Sequence, residues 1–273
     1  MVEVLVRFVA PALVGVLIGI ASGLLGIGGG TVMVPIFRLA FGMSATMSTA
    51  TSLFAIIPTS ISGAISHVKG KTCIPALGIA AGLGGACLSP VGVWLAQLSP
   101  DWLVMLAAAI IIGYSAINMF KKAFKLRPAG QPAAGVDAAA PTADDSSLSR
   151  KQLLQGAAIG LVAGLASGYV GVGGGFIMVP LMLSIIGIPM RKASGTSLIA
   201  VMILAIPGVI EQGIIGNINY LAGIAIVIGT IPGAVIGARL VTKVPERTLR
   251  LLFGCFLIVA AVMLVLNEVG IFG

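Results

Sequence analysis

Charge is what this sequence has least of. Only 9% of its 273 residues are Asp, Glu, Lys or Arg, against 58% hydrophobic, and so few polar side chains cannot clothe a water-soluble globule of this length. The solvent for most of the surface is therefore lipid. Histidine occurs once and cysteine three times. Cys73, Cys87 and Cys255 have neither paired nor metal-ligand spacing, which argues against a disulfide framework and makes them small apolar residues. The apolar segments also lack paired carboxylates and a Ser/Lys or Ser/His dyad, so acid–base catalysis within the membrane has little to work with. The reading is a non-enzyme that calls for no metal or other cofactor. A net charge of +8 would suit nucleic acid, but the basic residues fall in short clusters between apolar runs. They read as topology signals, and nucleic acid is not an expected partner.

What the sequence does have is apolar stretches near membrane-crossing length, as in Leu53 to Ile65, Ile74 to Leu98, Leu103 to Phe120 and Leu251 to Leu266. Glycine is plentiful, at 38 residues, and much of it lies inside these runs. Gly15, Gly19 and Gly23, like Gly160, Gly164 and Gly168, recur every fourth residue and line up one smooth helix face. Such a face serves close packing within the monomer or a homodimer contact. Residues 4–20 imitate a signal peptide, yet their counterpart Leu153 to Ser167 is internal, so the first segment is expected to be a membrane segment.

The chain repeats itself. Ala21 to Gly30 aligns with Ala166 to Gly175 at an offset of 145 residues, and the offset holds without a gap through most of each half. It pairs Met33-Val34-Pro35 with Met178-Val179-Pro180, Thr51-Ser52-Leu53 with Thr196-Ser197-Leu198, Gly63 with Gly208, and Pro100 with Pro245. Two copies of one ancestral half give a first membrane repeat at 1–127 and a second at 150–273. Residues 128–149 between them are rich in Ala, Pro, Gly, Asp and Ser and read as a flexible linker.

Basic residues crowd both ends of that linker, Lys121, Lys122, Lys125 and Arg127 before it, Arg150 and Lys151 after it, which places it in the cytoplasm. Lys69 and Lys71 mark one turn of the first half, and the equivalent turn of the second half has no Lys or Arg. Arg191 with Lys192, and Lys243 with Arg247 and Arg250, mark the other two turns in the second half only. Equivalent turns then lie on opposite sides of the membrane, the mark of inverted repeats. An odd number of segments per half is required. Five satisfy this, at 4–25, 30–42, 48–66, 73–97 and 102–120 with equivalents 145 residues on. The expected fold is an all-α polytopic membrane protein of eight to ten apolar helices; the first two segments of each half either both span or form a re-entrant pair.

Each half carries a G-x-G-G-G run inside an apolar segment: Gly26, Gly28, Gly29 and Gly30, then Gly171, Gly173, Gly174 and Gly175. Such a run breaks a helix, and broken backbone at membrane depth survives only against protein or a water-filled cavity. The helix that restarts after each run presents unpaired amides and the positive end of its dipole. Two such ends brought together make a midplane anion site. Thr31, Thr51, Ser52, Thr196 and Ser197 offer hydroxyl donors there, or else bond their own helix backbone. A single G-I-G-G-G-T fails as a dinucleotide fingerprint, since it lacks the third glycine at the right spacing and a preceding strand.

The paired elements Gly26–Pro35 and Gly171–Pro180, together with the two Thr-Ser-Leu elements, resemble the TauE/SafE sulfite-exporter family of membrane permeases. The resemblance covers nearly the whole chain apart from the linker. It implies a multi-pass protein of a bacterial inner membrane that moves sulfite, organosulfonates or related sulfur-containing anions. Arg38 and Arg239, paired with Leu183 and Trp94, have no charged equivalent; each either binds the anion or snorkels to the interface. Glu211, paired with Ser66, and His67, paired with Gln212, are candidates for proton coupling or for interfacial caps. The scarcity of carboxylates leans toward export or facilitated diffusion. The alternatives from other classes are an anion channel and, behind it, an intramembrane enzyme.

Overall fold

The computed structural model describes residues 10–125 and 149–268; the linker expected at 128–149 lies, except for Ser149, outside them. The described residues form helices joined by short turns. In chain order these are α1 Ala10–Leu25, α2 Gly30–Phe41, α3 Ala45–Lys69, α4 Pro75–Leu98, α5 Asp101–Lys125, α6 Arg150–Val170, α7 Gly175–Leu181, α8 Met190–Ile215, α9 Tyr220–Leu240 and α10 Glu246–Glu268. A π-helical turn, Met182–Ile186, continues α7. Seven of these helices, α3 to α6 and α8 to α10, are long and apolar enough to cross a membrane. Their outer faces carry large apolar side chains, with Leu154 72% and Ile214 82% exposed, a surface suited to lipid rather than water. This is a multi-pass membrane protein.

The glycine faces decide how the helices pack. A side chain at Gly15, Gly19 or Gly23 of α1 would collide with the backbone of Ile226, Thr230 or Ala234 of α9. The second half repeats this 145 residues later: Gly160, Gly164 and Gly168 of α6 lie against Ala81, Gly85 and Ser89 of α4. Each small-residue face is therefore consumed inside the monomer, where it lets two backbones touch. Each half contributes its first helix to the other half's fourth, so the halves are intertwined rather than side by side.

The order of these contacts also fixes direction. Residue numbers rise together along α1 and α9, along α6 and α4, and along α4 and α8, where Gly78 meets Ile199 and Gly82 meets Ile203. The Thr59–Thr230 hydroxyl pair at 2.6 Å and the Ser62 hydroxyl donating to Ile231 O at 2.7 Å align α3 with α9 in the same sense. In contrast, Gly63 faces Leu198 while Gly208 faces Leu53, so α3 and α8 are antiparallel. Equivalent helices of the two halves thus run in opposite directions about a pseudo-twofold axis.

Helix starts are held in matched pairs across the same axis. Asp101 Oδ2 accepts from Ala45 N at 3.3 Å, and Glu246 Oε1 accepts from Met190 N at 2.8 Å. Thr51 Oγ1 accepts from Asn219 N at 3.0 Å, as Thr196 Oγ1 does from Ile74 N at 2.9 Å. These bonds satisfy amides that a helix start leaves without an acceptor.

Candidate functional site

The helix breaks are local consequences of glycine. Gly26, Gly28 and Gly29 have φ of 75°, 81° and 85°, and Gly171, Gly173 and Gly174 have φ of 72°, 85° and 65°, a left-handed region that side-chain-bearing residues rarely enter. α1 stops where Gly26 N donates to Ser22 O at 2.8 Å, and α6 where Gly171 N donates to Ser167 O at 2.7 Å. α2 and α7 then start with no side-chain cap. Among the described residues the amides of Gly28, Gly29, Gly173 and Gly174 have no backbone acceptor.

The two breaks cross. A side chain at Gly30 would collide with Val172 and one at Gly175 with Gly26, so each restarting helix begins against the other half's break. α2, 12 residues long, and α7 with its π-turn each rise about 18 Å, too little to cross a hydrocarbon core of about 30 Å. Each is a half-length helix whose positive end points at the crossing. Ser197 Oγ, 2.7 Å from Gly26 O and 2.8 Å from Ser194 O, pins one break to α8.

The breaks and the helices packed against them carry buried hydroxyls that lack a partner among the described residues. Ser22, Thr31, Ser48, Ser52, Ser60 and Ser167 are fully buried, and among the described residues their hydroxyl oxygens have no partner. Burying an unmade hydroxyl costs about 1–3 kcal/mol, so several in one place point to a ligand or water that would use them. Thr31 and Ser52 are legible as donors from the sequence; Ser22, Ser48, Ser60 and Ser167 are not singled out by it. The available signal is that Ser48, Ser52 and Ser60 stand at multiples of four residues, and so along one helix face. Thr51 and Thr196 are instead engaged at the helix starts described above.

The four ionisable candidates sit near the C-terminal ends of their helices. Arg38 occupies the last turn of α2, about 12 Å along the helix from its start. Arg239 is exposed near the end of α9, where it shares a surface groove with Lys69. His67 is fully buried and bridges Thr72 Oγ1 at 2.7 Å and Gly23 O at 2.8 Å, tying α3 to α1. Its counterpart Gln212 accepts from Asn217 Nδ2 at 2.8 Å, so in both halves this position bonds the turn that follows its helix. Glu211 is half-buried near the end of α8, with Oε2 lacking a partner.

A break of this kind in each of two antiparallel halves is the arrangement expected of a membrane permease, and comparison with known proteins agrees. The family model described as Sulfite exporter TauE/SafE matches residues 11–264. The chain belongs to the TauE/SafE family. It is similar to the Bacillus subtilis (strain 168) protein named Probable membrane transporter protein YunE, 27% identical over 97% of this chain and 99% of that protein. A second B. subtilis protein, Probable membrane transporter protein YdhB, is 28% identical over 87% of this chain and 92% of its own length. A Haemophilus influenzae protein, also named Probable membrane transporter protein, is 28% identical over 93% of this chain and 97% of its own. No solved structure matches the chain. As a TauE/SafE member it is a membrane transporter, and both glycine breaks, with the unpartnered hydroxyls beside them, fall inside the matched span.

Proposed function

We propose that this TauE/SafE transporter carries a small sulfur-containing oxyanion, such as sulfite or an organosulfonate, through a midplane site where the two glycine breaks cross. The observation that carries the reading is the convergence of free backbone amides and unpartnered buried hydroxyls from both halves. Such donors bind an anion without a fixed positive charge, which favours release as much as capture. The halves sit in the bilayer in opposite orientations, with the linker and the basic turns cytoplasmic. With the interior negative, outward movement of a monovalent anion is favoured by about 2.3 kcal/mol per 100 mV. Export or facilitated diffusion therefore needs no coupling ion. A carrier is favoured over an open anion channel because the crossing is filled: Ile56, which meets Gly28, Gly30 and Gly173, is fully buried.

The test is flux into proteoliposomes of sulfite, thiosulfate, sulfoacetate, taurine and sulfate, with a thermal-shift screen of the purified protein against the same anions. Saturable uptake with counterflow is expected for at least one of them, and chemical turnover without movement would sink the transport reading. Gly29→Leu or Gly174→Leu should abolish anion binding in a protein that still inserts; wild-type affinity in either variant would remove the crossing as the site.

A further inference from the structure

The two halves line the crossing differently. Along one face of α3 stand Ser48, Ser52, Ile56 and Ser60, spaced every fourth residue and all fully buried. The three serine hydroxyls have no partner among the described residues. The same face of α8 carries Ala193, Ser197, Val201 and Ala205, and its only hydroxyl is already bonded to Gly26 O and Ser194 O. Thr31 is likewise unpartnered where the second half has Phe176. The donors left over for a ligand therefore belong chiefly to the first half.

That row of hydroxyls is interrupted at one place. A Cβ on Gly30 would lie 2.6 Å from Ile56 Cδ1, one on Gly173 2.8 Å from the same atom, and one on Gly28 3.3 Å from Ile56 Cγ2. The Ile56 side chain therefore occupies the gap between the two breaks. Its equivalent Val201 places Cγ1 3.0 Å from the position of a Cβ on Gly28 and has no Cδ1 methyl to reach further. On the far side, Ser60 Oγ lies 3.5 Å from the position of a Cβ on Gly28.

We infer that Ile56 is the constriction of the transport path and sets the largest anion that passes, and that the path follows the serine face of α3 rather than its counterpart on α8. This rests on the midplane-site reading above. An anion moving between Ser52 and Ser60 must displace Ile56 Cδ1, which a rotamer change about the side-chain bonds accomplishes. The face accepts an anion with several oxygen acceptors and a slender body, because each hydroxyl donates one bond and Ile56 leaves little width.

The experiment compares sulfite with the bulkier benzenesulfonate in proteoliposomes holding the full chain. Ile56→Ala should raise the benzenesulfonate-to-sulfite rate ratio about tenfold, the usual effect of opening an apolar pocket by methylene-sized steps. Ile56→Val, which installs the second half's own residue and removes only Cδ1, should raise it by a smaller factor and guards against a folding defect in the larger truncation. Ser52→Ala and Ser60→Ala should each raise KM for sulfite about tenfold, the loss of one hydrogen bond to a charged group. Ser62→Ala, on another face of the same helix and bonded to Ile231 O, should leave KM unchanged. An unchanged size ratio in both Ile56 variants, with unchanged KM in both serine variants, overturns the inference while the transport reading stands. Absence of saturable flux of any tested anion in the wild-type protein overturns both.

Discussion

Thr51 and Thr196 show what a single side chain does in this molecule. Each reaches from a central helix to the amide of the residue just before another helix and accepts its hydrogen bond, at 3.0 Å and 2.9 Å. Thr51→Val and Thr196→Val should each destabilise the purified protein by about 1 kcal/mol, the typical loss of a helix cap, measurable as a lowered Tm in detergent. Sulfite affinity measured beside it separates the roles: lowered Tm with unchanged affinity makes the hydroxyl a tie, and lowered affinity makes it a ligand. The sequence pairs these threonines with each other, as it pairs His67 with Gln212. It does not reveal their partners, because Asn219 stands 168 residues from Thr51 and Gly23 stands 44 from His67.

At the scale of elements, the governing fact is that α1 touches α9 and α6 touches α4 backbone to backbone. Gly19→Val or Gly164→Val must push those pairs apart, since both sites already meet backbone atoms of the partner helix. Overpacking of this kind costs about 1–3 kcal/mol or more, and the folded yield after extraction should fall in both variants alike. Gly113→Ala in α5, where nothing lies within 4 Å, should be neutral or slightly stabilising, because alanine is the better helix former. Loss of yield in Gly113→Ala with none in Gly164→Val would show that the glycine faces are not the packing surfaces.

The elements also differ between halves in a way the shared register hides. α2 runs unbroken to Phe41, while α7 gives way to a π-turn at Met182. There the Pro180 carbonyl accepts from Lys122 Nζ at 2.9 Å and Ser184 Oγ at 2.6 Å. Lys122 is thus bound to the second half-helix rather than left to the interface. Lys122→Met should remove this tie and lower Tm, whereas the same change at exposed Lys121 should not.

For the whole molecule, the directions of the helices gather charge at one end. The ends of α3, α5 and α9 and the starts of α6, α8 and α10 lie together, and they carry the described Lys and Arg residues apart from Arg38. Asp101 and Glu211 lie at the opposite end. If that basic end is cytoplasmic, a lone cysteine placed at Lys243 in a protein lacking Cys73, Cys87 and Cys255 should react with an impermeant thiol reagent only in inside-out vesicles. A lone cysteine at Gln97 should react only from the other side. Labelling of both from one side would contradict opposite insertion of the halves.

Much of this architecture is legible in one dimension. The offset of 145 residues, the apolar segments, the glycine breaks and the distribution of basic turns are properties of residues near each other in the chain, so they can be read without knowing what packs on what. Which helix each half lends to the other, whether a hydroxyl is bonded or left over, and that Ile56 rather than Val201 fills the crossing were decided only in three dimensions. Ser52 and Ser197 are equivalent in sequence, yet one is unpartnered and the other holds Gly26 O. Satisfaction of a buried polar group depends on neighbours that long-range packing supplies, and a repeat in sequence does not oblige those neighbours to match.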